Sequence, residues 1–202
     1  MSRLDVRPGF VVLCCLACFL LPGDVFWSAL LLGAAHELGH LAALCLCAVP
    51  VRRIRLGALG AVIETGTMAP RTEFVCALAG PAVNLLACWA LRRGLPGAAI
   101  LSLAMGAGNL LPLYPLDGGR ALRAALIAAL PLRAAAAVGG AAEALTLAAL
   151  AVGALLLCRR FGAGPAVLYA LLLANLARER NFMLPSGPIP DIMKKTTARG
   201  KT

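Results

Sequence analysis

The segment His36-Glu37-Leu38-Gly39-His40 lies in the middle of an apolar stretch that covers residues 25–49. Such a stretch exceeds the roughly 20 apolar residues that a helix needs to cross a bilayer. His36 and His40 are the two histidines of the chain, and their i, i+4 spacing places both rings on one face of that helix. Imidazoles and a carboxylate at membrane depth are costly unless they are paired or bind something. The segment therefore predicts a membrane helix that carries a functional polar cluster.

The composition extends this prediction to the whole chain. Of the 202 residues, 61% are hydrophobic and 14% are charged, and the mean hydropathy is +0.87. So few polar residues cannot coat a water-soluble protein of this length, and we predict an all-α integral membrane protein. The six candidate transmembrane helices are residues 10–21, 25–49, 73–91, 95–116, 134–157 and 161–176. The first is short and follows two arginines, so a secretory signal peptide is the alternative, although no small-residue cleavage site follows it.

The distribution of charge predicts the orientation in the membrane. The formal net charge is +10, and if both termini are cytosolic, fifteen of the nineteen basic residues face the cytosol. This asymmetry follows the positive-inside rule, so the positive charge is explained without a nucleic-acid partner. We therefore expect a multi-pass protein of the lipid bilayer with both termini in the cytosol.

Residues 50–72 interrupt the helical pattern. Short β-prone runs flank two glycines between residues 53 and 64, which predicts a β-hairpin after the second helix. This insert is too short to be a folded peptide-binding domain. We expect one membrane domain at residues 1–181, with its core at 25–120, followed by a polar cytosolic tail at 182–202.

The two histidines and the glutamate that follows the first of them form an HExxH pattern. Imidazole nitrogen is a good zinc donor, and Glu37 can take a proton from a metal-bound water. HExxH also arises by chance, and a pair of packed histidines with an ion-paired Glu37 is the alternative. At membrane depth that alternative is unfavourable. The segment therefore predicts a Zn²⁺ site with a general base beside it.

A catalytic zinc needs three protein ligands and an open position, so a third donor must come from elsewhere in the chain. Asp117 is the best candidate. It follows a run with two prolines at the end of the fourth span and precedes two glycines, which break the helix and can turn a carboxylate toward the metal. The alternative is an aspartate that caps a helix end. The missing third ligand favours the metal role.

Three motifs together resemble the site-2 protease family of intramembrane metalloproteases. They are residues 36–40, the run Gly80-Pro81-Ala82-Val83-Asn84, and residues 109–119. The resemblance is closest to the branch of the stage IV sporulation protein FB, which also has six spans and a basic hairpin segment like residues 52–64. That branch commonly carries a cytosolic CBS domain after the last span. The present sequence reaches Thr202 without one, so nucleotide sensing is not expected.

The resemblance implies a role for the polar residues of each motif. The implied zinc ligands are His36, His40 and Asp117. Glu37 is the implied catalytic base, and Asn109 is implied to stabilise the oxyanion that forms during hydrolysis. Asn84 is expected either to contact the substrate or to form an interhelical hydrogen bond.

The resemblance also implies regulated intramembrane proteolysis in a bacterial cytoplasmic membrane. The implied substrate is a membrane-associated protein that is cleaved within or near its membrane segment, such as a pro-sigma transcription-factor precursor in sporulation. A regulatory membrane protein is a further implied partner. Water is expected to reach the site through a polar channel that opens to the cytosol.

The hairpin offers a way to hold such a substrate. A helical substrate hides its carbonyls in hydrogen bonds and must unwind, so we predict that the hairpin pairs with the extended chain by strand addition. Leu56 and Val62 are the predicted substrate-binding positions. Glu143, a lone carboxylate in the fifth span, either gates the site or contacts substrate, or it lies near the interface or bonds a neighbouring helix.

Two other functions compete with the protease. Buried His, Glu and Asp also line ion paths, and a membrane metal-ion transporter predicts zinc flux without proteolysis. A catalytically inactive membrane scaffold is the second alternative. A glutamate directly after the first ligand and an available Asp117 favour the protease over both.

Overall fold

A computed structural model of the chain describes residues 3–57 and 60–161. Within them the chain forms three strands and six helices. The strands are β1 (Arg3–Val6), β2 (Val51–Gly57) and β3 (Gly60–Thr65). The helices are α1 (Pro8–Leu20), α2 (Gly23–Leu46), α3 (Pro70–Leu91), α4 (Pro96–Asn109), α5 (Asp117–Ala129) and α6 (Leu132–Phe161). The chain divides into two compact units, Met1–Ala151 and Val152–Thr202, and all residues of the candidate site lie in the first.

Three of the described helices are long and apolar enough to cross a membrane. They are Gly23–Leu46, Pro70–Leu91 and Leu132–Arg160, and they coincide with the second, third and fifth predicted spans. At the position of the first predicted span, α1 is a shorter apolar helix of 13 residues. Residues 162–176 of the sixth predicted span and the predicted tail at 182–202 lie outside the described residues.

The fourth predicted span, at 95–116, is wrong at its C-terminal end. α4 ends at Asn109, so its 14 residues reach about 21 Å, less than the roughly 30 Å of a bilayer core. The chain after it contains Pro112 and Pro115, which lack a backbone N–H and cannot continue an α-helix. Residues 110–116 instead form a loop that leads into α5.

The predicted hairpin is confirmed, and a further strand joins it. β2 and β3 are antiparallel, with Gly57 opposite Gly60. β1 pairs in parallel with β2, so the sheet has the order β1-β2-β3. Next to this pairing, the Arg7 N–H donates to the Leu56 carbonyl at 2.9 Å. The predicted all-α class with a hairpin insert is therefore incomplete, because a strand of four residues is too short to show an alternating pattern.

α2 ends in a backbone motif that turns the chain toward the sheet. Ala48 has a positive φ of 52°, and the Val49 N–H donates to the Leu44 carbonyl at 2.9 Å, as in a Schellman motif. Val49 then packs against the buried cluster of Ala43, Leu44 and Cys76. This cluster joins the end of α2 to α3 and so fixes where β2 begins.

α3 is the central helix and packs against α2, α4 and α5. Close packing is possible because small residues lie at the contacts, as is common between membrane helices. A Cβ added to Gly39 of α2 would lie 2.9 Å from the carbonyl oxygen of Ala79 in α3. A Cβ added to Gly106 of α4 would lie 3.1 Å from Cβ of Asn84 in α3. α3 therefore forms the wall against which its neighbours are packed.

α5 lies in a segment that none of the predicted spans covers. The preceding loop folds back onto the first turn of α5, where Gly118 and Gly119 leave room for it. A Cβ at Gly118 would lie 2.1 Å from the carbonyl oxygen of Leu110, and one at Gly119 would lie 2.4 Å from the carbonyl carbon of Leu113. This close approach places Asp117, the first residue of α5, in a buried position.

Candidate active site

The structure brings the three predicted zinc ligands together between α2 and α5. Nε2 of His36 and Nε2 of His40 each lie 3.1 Å from Oδ2 of Asp117, and the two Nε2 atoms are 3.2 Å apart. All three residues are buried, with 6 to 8% of their surface exposed. In a tetrahedral site with bonds of about 2.0–2.1 Å, ligand atoms lie about 3.3 Å apart. The group can therefore hold a metal ion.

Asp117 reaches the histidines from the start of α5 without capping that helix. The N-cap residue is Leu116, and no side chain makes a cap hydrogen bond there. Oδ2 of Asp117 faces the histidines, while Oδ1 lies 3.7 Å from Nη1 of Arg120 one turn along α5. The positive end of the helix dipole also favours a carboxylate at this position. Separate partners for the two oxygens fix the rotation of the carboxylate.

Gly80 of α3 supplies the space that the two imidazoles need. A Cβ added to Gly80 would lie 2.3 Å from Nε2 of His40 and 2.8 Å from Nε2 of His36. A side chain of any size would thus enter the volume of the ligand atoms. The sequence singled out Gly80 only as part of a motif, because a glycine in an apolar helix does not reveal which neighbour requires it.

α3 also contacts the far side of both imidazole rings. Nδ1 of His40 lies 2.8 Å from the carbonyl oxygen of Cys76, which can only accept, so this nitrogen carries the proton and Nε2 keeps its lone pair for a metal. Nδ1 of His36 lies 3.2 Å from Nδ2 of Asn84. Of the two roles expected for Asn84, the structure shows the interhelical hydrogen bond. The substrate contact stays a prediction for a side chain that is 0% exposed.

Glu37 lies beside the three donors and is not one of them. Its side chain is half-buried, and its carboxylate interacts with the backbone N–H of Ala61 on β3. A carboxylate next to a metal ligand, but not bound to the metal, is placed for proton transfer. The contact with Ala61 was not predicted, because the position of the hairpin against α2 depends on residues far apart in the sequence.

Asn109 is the last residue of α4, and its amide faces its own helix. Nδ2 of Asn109 donates to the Met105 carbonyl at 3.1 Å, which uses one of the two N–H groups of the amide. The second N–H is the one available to an oxyanion. The predicted oxyanion role therefore stays a prediction.

The sheet shows where the two residues of the predicted substrate clamp lie, and their contact with substrate stays a prediction. Leu56 lies in the central strand, where it is opposite Val6 on one side and Ala61 on the other, so its backbone is not at an edge. Because the Leu56 carbonyl accepts from Arg7 beside β1, the N–H and C=O of Ala61 point away from β2, to the outer edge of β3. Val62 is opposite Arg55, and its polar backbone groups point inward to β2.

Glu143 of α6 forms a hydrogen bond with a loop, whereas one prediction named a neighbouring helix. Its Oε1 accepts a hydrogen bond from the Tyr114 N–H at 3.2 Å. Tyr114 belongs to the loop that carries the chain from α4 to Asp117. An acceptor for a backbone N–H is valuable where water is scarce. Glu143 thus helps to position the loop before the third ligand.

Replacement of Glu143 by leucine is expected to lower stability and metal affinity together. The variant removes the acceptor of the part-buried Tyr114 N–H, and the loss is expected to cost up to the roughly 1–3 kcal/mol of a fully buried unsatisfied donor. Glu143→Gln keeps an acceptor oxygen and serves as the matched control. The unfolding temperature and the bound metal are measured for both variants. Wild-type values for Glu143→Leu would show that other contacts hold the loop.

Three curated proteins are similar to about half of the chain, although no protein-family model matches it. A putative zinc metalloprotease of Synechocystis sp. is 37% identical over 114 residues, which are 48% of this chain and 30% of that protein. A zinc metalloprotease of Methanocaldococcus jannaschii is 29% identical over 125 residues, which are 53% of this chain and 37% of that protein. A putative zinc metalloprotease of Mycobacterium tuberculosis is 34% identical over 131 residues, 52% of this chain and 33% of that protein. The chain spans about a third of the length of these relatives.

The structural comparison covers more of the chain. The site-2 protease of Methanocaldococcus jannaschii matches with a TM-score of 0.64 over 92% of this chain and 94% of that chain. The chain has the site-2 protease fold. At 22% sequence identity, this likeness concerns the fold alone. The closer resemblance to the sporulation branch and the expected lack of a CBS domain stay predictions.

Proposed function

We propose that the chain is an intramembrane zinc metalloprotease of the site-2 protease type. The observation that carries the proposal is the convergence of His36, His40 and Asp117 beside Glu37. Three protein donors with an open position and a neighbouring general base are what catalytic zinc sites of this kind use. The similar proteins are named zinc metalloproteases, and the matching structure is a site-2 protease.

The residues of the site have separate tasks in peptide hydrolysis. Zinc, when bound, supplies a Lewis acid that polarises a water molecule and the scissile carbonyl. Glu37 takes a proton from the attacking water and gives it to the departing amine. Asn109 donates its second amide N–H to the developing oxyanion. His36, His40 and Asp117 hold the metal, and the buried position of all three excludes bulk water.

The depth of the site sets how substrate and water reach it. His40 and His36 lie six and ten residues before Leu46, where α2 ends, or about 9 and 15 Å along the helix. Ala61 of β3 lies near Glu37, so we infer that the sheet side is the side of entry. The arginines of β2 support a cytosolic position for this side under the positive-inside rule. Cleavage then falls within or near a substrate's membrane segment.

The outer edge of β3 is the surface on which an extended substrate would pair. Ala61 directs its carbonyl to that edge, next to its N–H that faces Glu37. Ile63, two residues along the strand, directs both of its backbone groups to the same edge because backbone directions alternate. Strand addition there would bring the substrate beside Glu37. Val62 contributes an exposed side chain, with 41% of its surface exposed, which a substrate side chain can contact.

A proline at Ile63 tests this clamp. It removes one N–H from the outer edge and leaves the hydrogen bonds between β2 and β3 intact, since proline is tolerated on an edge strand. One backbone hydrogen bond contributes about 0.5–1.5 kcal/mol, so kcat/KM is expected to fall about 2- to 10-fold. Ile63→Ala keeps the N–H and controls for the lost packing against Ala43 and Leu44. Equal kcat/KM for the two variants would refute strand addition at this edge.

We further propose a place for the protease in the cell. The distribution of basic residues supports a multi-pass protein with cytosolic termini. The sequence resemblance supports a bacterial cytoplasmic membrane, a membrane-associated transcription-factor precursor such as a pro-sigma factor as substrate, and a membrane protein that restrains the activity. These assignments rest on the resemblance, whereas the zinc protease class rests on the site.

The proposed function is tested with the purified chain and membranes from a host that lacks it. Wild type is expected to contain about one zinc per chain and to generate new peptide termini in the membrane proteins, detected by mass spectrometry. Treatment with 1,10-phenanthroline is expected to stop cleavage, and added zinc is expected to restore it. Cleavage that continues in the presence of the chelator, or a chain that binds no zinc, would refute the proposal.

The transporter alternative is measured on the same preparation. The chain is reconstituted in liposomes that contain a zinc indicator, and external zinc is added. A protease of this type is expected to show no more zinc entry than empty liposomes. Zinc entry without any proteolysis would favour the transporter.

A further inference from the structure

The two imidazoles of the site meet α3 in different ways. Nδ1 of His40 faces a backbone carbonyl, that of Cys76, at 2.8 Å. Nδ1 of His36 faces a side-chain amide, that of Asn84, at 3.2 Å. The first partner is present whatever residue occupies position 76. The second depends on the identity of residue 84, so it is the partner that a substitution can remove.

The amide of Asn84 has a polar atom without a partner. Its Oδ1 is buried and makes no hydrogen bond among the described residues. With Nδ2 facing Nδ1 of His36, the imidazole must accept at Nδ1 and therefore carry its proton on Nε2. Nε2 is the atom that points to His40 and Asp117. A proton there would occupy the lone pair that a metal needs.

Rotation of the amide by half a turn exchanges its oxygen and nitrogen at nearly the same positions. Oδ1 of Asn84 then faces Nδ1 of His36 and can accept its proton, as the Cys76 carbonyl accepts that of His40. Both imidazoles then have Nε2 free toward Asp117. The oxygen gains a donor in the same step, and Nδ2 takes the position in which Oδ1 has no hydrogen-bond partner among the described residues.

We propose that Asn84 is a positioning residue of the metal site, whose Oδ1 accepts from Nδ1–H of His36 and holds that ring with Nε2 directed at the metal. The inference rests on the proposed zinc site and names a residue that acts through His36. Partners of this kind commonly contribute 10- to 100-fold to metal affinity.

The surroundings of Asn84 keep the amide in place. Its side chain is 0% exposed, and Ser102 of α4 donates to its backbone carbonyl at 2.8 Å. Gly106, one turn along α4, allows Cβ of Asn84 to approach closely. α4 thus fixes the residue that orients His36, although α4 carries none of the three metal donors.

Two substitutions separate this role from plain packing. Asn84→Leu has a similar size and no acceptor, so the zinc dissociation constant is expected to rise about 10- to 100-fold. Asn84→Asp can accept but cannot donate, so it is expected to bind zinc within about threefold of wild type, since Oδ1 remains. Affinity is measured by competition with a chromophoric zinc chelator.

A spectroscopic measurement reports a property that a purely structural role of Asn84 would not change. The ¹⁵N shifts of labelled histidine in the metal-free chain report which ring nitrogen carries the proton. Wild type and Asn84→Asp are expected to show His36 protonated at Nδ1, and Asn84→Leu is expected to show a mixture. If Asn84→Leu does not fold, the result for Asn84→Asp is sufficient. If the Asn84 amide acted as a donor to His36, Asn84→Asp would lose zinc binding.

The outcomes keep the two proposals apart. Wild-type zinc affinity in Asn84→Leu, or strongly weakened affinity in Asn84→Asp, would overturn the role of Asn84 and leave the protease proposal intact. A wild-type chain that binds no zinc would overturn both.

Discussion

Glu37→Gln is expected to slow peptide-bond hydrolysis about 100- to 10,000-fold, the usual contribution of general acid–base catalysis. Glutamine matches glutamate in size and cannot take a proton from the attacking water. Zinc content is expected to stay at the wild-type level, because Glu37 is outside the group of metal donors. Single-turnover cleavage and bound zinc are measured on the same sample. Loss of zinc together with activity would instead make Glu37 a structural partner of the site.

The same variant is the tool for finding the substrate. A protease that binds but does not cleave retains its substrate, so membrane proteins that accumulate uncleaved and co-purify with Glu37→Gln are the candidates. Leu38→Ala is the matched control, since Leu38 is the next residue of α2 and has 62% of its surface exposed. It is expected to cleave like wild type. Normal processing of every membrane protein in the Glu37→Gln host would contradict the proposed activity there.

Gly80→Ala is expected to weaken zinc binding more than about 100-fold, beyond the range seen when only an outer partner of a ligand is lost. The added methyl carbon would lie 2.3 Å from Nε2 of His40 and 2.8 Å from Nε2 of His36, so both ligands must move. Alanine is otherwise favoured over glycine in a helix by about 1 kcal/mol. The expected result is therefore a chain whose helices form while its metal site does not.

A second glycine provides the control for that variant. Gly140 lies in α6, and no atom of the described residues lies within 4 Å of a Cβ added there, so Gly140→Ala is expected to keep zinc binding and activity. Zinc content and helicity by circular dichroism are compared for the two variants. If Gly80→Ala bound zinc like wild type, the rings of His36 and His40 would have room that the structure does not show.

The sequence predicted those parts of the site that local patterns encode. The i, i+4 histidines needed only the helical period, and the hairpin needed only its two glycines between β-prone runs. Asp117 was found by elimination, since a third donor was required and a broken helix preceded it. The structure places all three donors together. Local pattern and coordination chemistry were therefore sufficient to find the three candidate donors.

The parts that escaped prediction depend on contacts between distant residues. β1 has four residues and becomes a strand through β2, which begins more than forty positions later. α5 was missed because its glycines looked like a loop, whereas they admit the preceding segment. Gly80 and Ala61 act through an absent side chain and a backbone N–H, respectively. Neither the space at Gly80 nor the N–H of Ala61 can be recognised from the residue types of a single sequence.

α3 contributes none of the three candidate metal donors, yet three of its features determine how the two imidazoles of α2 are positioned. The carbonyl of Cys76, the open space at Gly80 and the amide of Asn84 follow one another along about two turns of α3 and meet two rings of α2. A slide of one helix along the other by part of a 5.4 Å pitch would disturb all three relations at once. The chemistry of the site therefore depends on the registry of two helices. Bilayer thickness, or a membrane protein that shifts α3 lengthwise, would then change the geometry of the candidate metal site without contacting any of its donors.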